Sequence, residues 1–282
     1  MRRLLLYLFV FACSPLSALE ISATFDLSNL DFARDRGVTA TSLPGQDFLW
    51  GVGVSGSQEL TPETLVTMEY RNDPILRQII YTRLQYTDAF FRVTIGPFFG
   101  IFNAPDTLLQ SGLSTSVQIF APGIATVGLR SDTSLSGRLV VEGDYIQERS
   151  ELSLGFFVPN ALPTVYIRSK RYSYRTDAGE NVDSLTEYGL ETVVFQKNIP
   201  YRVTLDFAYH FASRQFVETG TTTHGYGALV LGTDVQATVA DLFDILLDLE
   251  TSIYTFGTDF LVGAVSSETF RFRARAGVSI PF

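Results

Sequence analysis

Apolar and polar side chains alternate residue by residue through most of this chain, and the pattern is cleanest at its end. From Phe270 the sequence reads Phe-Arg-Phe-Arg-Ala-Arg-Ala-Gly-Val-Ser-Ile-Pro-Phe. A β-strand sends successive side chains to opposite faces. Phe270, Phe272, Ala274, Ala276, Val278, Ile280 and Phe282 therefore share one face, while Arg271, Arg273, Arg275, Gly277 and Ser279 share the other.

The same period recurs upstream. Ile21, Ala23, Phe25 and Leu27 alternate with Ser22, Thr24, Asp26 and Ser28, and Phe48, Trp50, Val52 and Val54 with Gly51, Gly53 and Ser55. Val66, Met68 and Tyr70 alternate with Thr67, Glu69 and Arg71; Ile80, Leu84 and Tyr86 with Tyr81, Arg83 and Gln85; Phe91, Val93 and Ile95 with Arg92 and Thr94. Strands are expected again around Thr115–Ile119, Leu135–Tyr145, Leu152–Val158, Val165–Tyr174, Tyr188–Val194 and Tyr226–Val239. The stretch Ala240–Glu250 fits a helical and a strand period alike and is read as strand from its neighbours. Asn103–Gly112, Thr176–Asp183 and Ala212–His224 read as loops, and Asn160–Pro163 as a turn.

Tyr201–Phe211 is the clearest internal strand. Tyr201, Val203, Leu205, Phe207 and Tyr209 face one way, with tyrosines at both ends of an otherwise largely aliphatic face. Eight residue steps cover about 26 Å at ~3.3 Å each. At a tilt of about 40° this approaches the ~25 Å apolar band of a membrane barrel.

Composition narrows the classes. The chain carries 23 Phe and 13 Tyr but one Trp, and its net charge of −9 argues against a nucleic-acid partner, which calls for a basic face. Beyond the N-terminal region no apolar run approaches 18 residues, so no membrane helix is expected. A membrane location then requires a closed barrel, because hydrocarbon cannot satisfy an open sheet edge.

The end of the chain resembles the C-terminal insertion signal of bacterial outer-membrane β-barrels, with Arg275, Gly277, Ile280 and Phe282 matching that pattern position by position. The resemblance covers about the last eight residues. It implies an all-β fold: a single closed antiparallel transmembrane β-barrel. At roughly 19 residues per strand and its share of loops, about 14 strands are expected, with 12 and 16 open, the number being even in this class. It also implies two partners, outer-membrane lipid and the barrel-assembly machinery that reads Arg275, Gly277, Ile280 and Phe282.

The front end fits export. Met1-Arg2-Arg3 is basic, Leu4–Ala12 is apolar, and Ser14–Ala18 is rich in small residues. This is the layout of a secretory signal peptide. Residues 1–18 are expected to be the signal and residues 19–282 the outer-membrane barrel, with no break suggesting a second domain. Lipidation at Cys13 is the competing reading of this segment. Cleavage after Ala18 would remove Cys13, the one cysteine.

If the apolar face meets lipid, the other face lines a lumen. Its candidate pore-lining residues are Glu142, Arg168, Lys170, Glu187, Glu191, Arg202, Asp206, His210, Arg271, Arg273 and Arg275, with Arg83 and Arg92 on the same kind of face. Tyr201, Tyr209, Phe270 and Phe282 are candidates for a lipid-facing aromatic girdle. So many charges call for pairing or water, since an unpaired buried charge is very costly. The leading expectation is a porin-like channel for passive diffusion of small hydrophilic solutes. The alternative is an occluded barrel serving as an adhesin or structural anchor, with Arg271, Arg273 and Arg275 pairing against the first strand, for example through Asp26. His210 and Asp206 share a face and are the only catalytic candidates, but a histidine on a wall of charges is more often a wall residue. No enzyme activity, cofactor or metal site is expected.

Overall fold

The two-residue period closes into a cylinder. A computed structural model describes residues 19–28, 49–73, 77–102, 108–134, 145–176, 179–195, 200–217, 221–239, 242–256 and 272–281. In chain order the strands are β1 (Leu19–Ser28), β2 (Leu49–Thr61), β3 (Thr64–Asp73), β4 (Arg77–Thr87), β5 (Phe91–Phe102), β6 (Leu108–Ala121) and β7 (Ala125–Ser134). They continue as β8 (Tyr145–Phe156), β9 (Ala161–Thr176), β10 (Gly179–Phe195), β11 (Tyr201–Val217), β12 (Thr221–Val239), β13 (Phe243–Phe256) and β14 (Phe272–Pro281). Each strand pairs with the next, and β1 pairs with β14, so the sheet has no edge. All the pairings are antiparallel, and the described residues contain no helix. The protein is a closed antiparallel barrel of 14 strands.

Closure depends on register. Ile21 lies opposite Ile280, Phe25 opposite Ala276 and Asp26 opposite Arg275, so β14 meets β1 with apolar matched to apolar and polar to polar. A one-residue slip would invert every face. Gly277 serves the seam directly: a Cβ there would come within 2.7 Å of the Ala23 carbonyl oxygen and of Thr24 Cγ2. No larger residue fits without moving β1.

The apolar rows face outward. Trp50, Leu129, Leu205 and Leu249 are each half exposed or more, and so are Phe25, Val165 and Val54 to a similar degree. These residues form no core; they coat the outside. The ambiguous stretch at Phe243–Glu250 is strand, with Ile245, Leu247 and Leu249 in the outer rows.

Short turns and both ends of the paired chain lie at one end of the cylinder. Two of those turns use left-handed backbone, at Gly123 (φ 72°) and Asn160 (φ 62°). These are residue types that tolerate that region at low cost. β9 to β12 are the longest strands, at 16, 17, 17 and 19 residues, against 10 for β1, β3, β7 and β14. Among the described residues their ladders extend to Glu180, Val217 and Thr221 at the end opposite the short turns.

Several sequence-based boundaries are corrected. Ala125–Ser134 was not anticipated as a strand and forms β7. The loop expected at Asn103–Gly112 gives way to strand at Leu108. The loop expected at Thr176–Asp183 shrinks, since β9 runs to Thr176 and β10 begins at Gly179. The loop expected at Ala212–His224 is likewise invaded, with β11 reaching Val217 and β12 starting at Thr221. The turn expected at Asn160–Pro163 is tighter, because Ala161 already opens β9 and bridges back to Val158. One cause covers the long hairpins. Strand that extends past the apolar band is polar on both faces, so alternation fades while the backbone ladder persists. The Ser184–Ser213 hydroxyl contact of 2.6 Å between β10 and β11 lies in such an extension. The strand expected at Leu135–Tyr145 falls mostly outside the described residues.

Candidate functional site in the barrel lumen

Alternation that sends Leu and Val to the outside sends charge to the inside. Of the candidate lining residues, Arg168, Lys170, Glu187, Glu191, Arg202, Asp206, His210, Arg273 and Arg275 all stand in inner rows, by register and by the exposure of their outer neighbours. Glu142 and Arg271 lie outside the described residues. On the outer face Tyr201 and Tyr209 are 52% and 36% exposed, with Leu205 and Phe207 between them. Tyr188 stands opposite Tyr209 on β10 and is equally outward. Phe270 and Phe282 lie outside the described residues.

The inner charges form a transverse network. Arg168 bridges its two neighbouring strands, with Nε 2.9 Å from Glu151 Oε2 and Nη1 3.1 Å from Glu187 Oε2. Arg149 adds a second bond to Glu151 at 2.7 Å. On the far side Glu187 Oε1 lies 3.6 Å from His210 Nε2, and His210 Nδ1 lies 3.9 Å from Glu250 Oε1. Inward-pointing rows on β8, β9, β10, β11 and β13 are thus stitched together across the wall. The β9 arginine works as the hub because its planar fork can serve two carboxylates at once.

A second cluster gathers on β3 to β7. Tyr81 is fully buried, and its hydroxyl donates to Asp132 Oδ2 over 3.0 Å, reaching from β4 past β5 and β6. Ser114 donates to Asp132 Oδ1 at 2.5 Å and Arg130 to Oδ2 at 2.9 Å. Arg83 pairs with Glu69, and the Arg71 and Arg83 guanidinium groups lie 5.1 and 4.5 Å from the Tyr81 ring centroid. Phe98 packs against Tyr81 with ring centroids 5.7 Å apart. Gly112 makes room for this: a Cβ there would collide with the Phe98 ring, as one at Gly100 would collide with the Gln147 amide. Small residues on β5 and β6 are the sockets for large side chains from β5 itself and from β8.

Sequence reasoning missed much of this second cluster. Asp132, Arg130 and Arg149 stand outside the candidates, because alternation does not mark β7 and marks β8 only from Leu152 onward. Tyr81 stood on the expected polar face, but nothing local marks it as a long-range donor.

Asp206 and His210 do not act together. Tyr166 Oη donates to both Asp206 oxygens, at 2.8 and 3.0 Å, while His210 is held between Glu187 and Glu250. At the seam, Arg275 Nε lies 2.5 Å from Asp26 Oδ1 and Arg273 Nη2 3.6 Å from the same atom. Arg273 and Arg275 thus pair with the first strand.

Exposure is uneven around the lumen. The side chains of Asp248, Glu250, Arg273 and Arg275 on β13 and β14 keep 28, 35, 25 and 28% of their surface open. Asp132, Gln147, Tyr166 and Glu187 on β7 to β10 are buried. Near the short-turn end, a cavity of about 380 Å³ lies against β2 to β6. Its walls are hydrophilic, including Ser55, Thr67, Glu69, Arg83, Gln85, Arg92 and Gln118.

No protein-family model matches this sequence, and no curated protein does. Solved structures do match its shape. The CymD monoaromatic hydrocarbon channel aligns over 95% of this chain and 89% of its own, with a TM-score of 0.51 and 8% identity. An outer-membrane channel from Pseudomonas putida F1 covers 96% of this chain and 97% of its own, at a TM-score of 0.47 and 8% identity. An anion-selective porin from Comamonas acidovorans covers 95% and 99%, at 0.41 and 10% identity. These neighbours are bacterial outer-membrane barrels, and at such identity the likeness is one of fold.

Proposed function

We propose that the protein is a bacterial outer-membrane barrel that conducts small hydrophilic solutes by passive diffusion. The observation that carries this reading is the open, charged inner wall: Asp248, Glu250, Arg273 and Arg275 remain accessible inside a cylinder whose outside is a continuous apolar coat. Fixed charges along a wet passage set solute preference without any chemical step. A 14-strand barrel has room for a modest aqueous path beside the side chains that partly fill it. The apolar coat, with tyrosines bounding the aliphatic rows of β11, suits a bilayer. Export through residues 1–18 and recognition of Arg275, Gly277, Ile280 and Phe282 by the assembly machinery complete the proposal.

Planar bilayers containing the purified protein test it. Discrete conductance steps are expected. A protein that migrates as a heat-modifiable folded barrel and gives no current would overturn the channel reading and leave the adhesin or anchor.

A further inference from the structure

Resting on the channel reading, we propose that the passage is eccentric: solutes move along the wall built by β13 and β14, and the buried cluster of Tyr81, Phe98, Ser114, Asp132 and Gln147 on β4 to β8 is a fixed filler that sets the size limit. Two observations made on different residues meet here. The first is the contrast in accessibility. The inner-row charges Asp248, Glu250, Arg273 and Arg275 on β13 and β14 keep a quarter to a third of their surface, and Arg130, Glu151 and Arg168 on β7 to β9 about a fifth. Inner-row residues Tyr81, Phe98, Ser114 and Gln147 keep almost none.

The second is how the filler is built. Its large groups are not tips leaning into water. Phe98 sits on Gly112 so closely that no Cβ fits beneath it, and Gln147 crosses from β8 to the socket at Gly100 on β5. Tyr81 is anchored three strands away on Asp132, which Ser114 and Arg130 also hold. Side chains fixed by sockets and by several hydrogen bonds do not swing aside for a passing solute. Such a cluster narrows the lumen at its own level, beyond the cavity that opens against β2 to β6 near the short turns. On the opposite wall Arg275 reaches Asp26 and Asp248, its neighbours along the wall.

The filler therefore works as a size filter without being a gate. Its removal should widen the passage, and its polar members should be unreachable from solution while the channel conducts.

Substituted cysteines test both halves. Cys13 is the only cysteine, so a Cys13→Ser background isolates each introduced thiol. Asp248→Cys, Glu250→Cys and Ser114→Cys are reconstituted separately and exposed to a charged methanethiosulfonate reagent during single-channel recording. The current is expected to fall at Asp248→Cys and Glu250→Cys and to stay unchanged at Ser114→Cys. Phe98→Ala is expected to raise unit conductance, with heat-modifiable mobility showing that the barrel still forms. Block at Ser114→Cys, or silence at both β13 thiols, would overturn the eccentric route. Unchanged conductance in a folded Phe98→Ala would overturn the filler. If the unmodified protein carries no current, the channel reading itself fails, which is a distinct outcome.

Discussion

Arg275 and Asp26 stand directly opposite each other across the closing seam, and the guanidinium Nε lies 2.5 Å from the carboxylate. The first and last strands are thereby tied by charge as well as by their backbone ladder. Asp26 is 8% exposed, so its loss leaves Arg273 and Arg275 facing a vacated, poorly hydrated position. Asp26→Ala is expected to destabilise the barrel by about 1–3 kcal/mol. Urea unfolding in detergent measures this. The exchange Asp26→Arg with Arg275→Asp should recover part of the loss, and no recovery would mean that the pair itself is not what stabilises the seam.

The Arg168 hub gives a larger effect. Glu187 is buried, accepts a hydrogen bond from Arg168 and lies 3.6 Å from His210 Nε2. Glu187→Ala is expected to cost on the order of 3 kcal/mol, because breaking a buried pair strands the remaining charge. Glu191→Ala on the same strand should cost far less: among the described residues Glu191 has no ion pair within 4 Å. Chemical denaturation of the two variants side by side decides the matter, and equal midpoints would contradict the hub.

Selectivity follows from where the charges are open. On β12 and β13 the inner rows carry Asp234, Asp244, Asp248 and Glu250, with Asp234 directly opposite Asp248, while β14 contributes Arg273 and Arg275. Arginines dominate the buried sector instead, where Arg130, Arg149 and Arg168 are already paired. A cation preference is expected, and Asp248→Lys combined with Glu250→Lys should move the reversal potential in a salt gradient toward anions. An anion preference in the unmodified protein would refute this assignment.

Depth on the outer face should be readable one residue at a time. Leu205 lies midway between Tyr201 and Tyr209 and is half exposed. Leu205→Arg is expected to cost about 2–4 kcal/mol of folding stability in a bilayer, and an arginine at the edge position Tyr201 about 1 or less. Folding titrations into lipid vesicles compare the two. Similar costs at both positions would mean that the tyrosines do not bound the hydrocarbon layer.

Much of the architecture was legible in the chain because a closed barrel writes itself into sequence at a period of two. The outer rows of β2, β5, β11 and β14 and the inward placement of Arg168, Glu187 and Asp206 followed from that period, while the even strand number followed from the barrel class that the chain's end resembles. What was not legible has physical causes. Beyond the apolar band, both faces of β9 to β12 are wet, so the outer ends of those strands looked like loops. β7 lacks a long apolar row because its outer face passes from Ala125, Val127 and Leu129 to Ser131 and Thr133. The bond from Tyr81 to Asp132 links residues fifty-one apart, and only the curl of the wall brings them together.

The unequal lengths of the strands have one more consequence. With 19 residues β12 runs for about 60 Å at ~3.3 Å per residue, against about 33 Å for the 10 residues of β14. Among the described residues, the ladder of β9 to β12 therefore runs on well past the level at which their outer rows turn polar. A hydrogen-bonded wall that continues beyond the hydrocarbon layer carries its backbone order out into water, where a greasy coat no longer holds it in place.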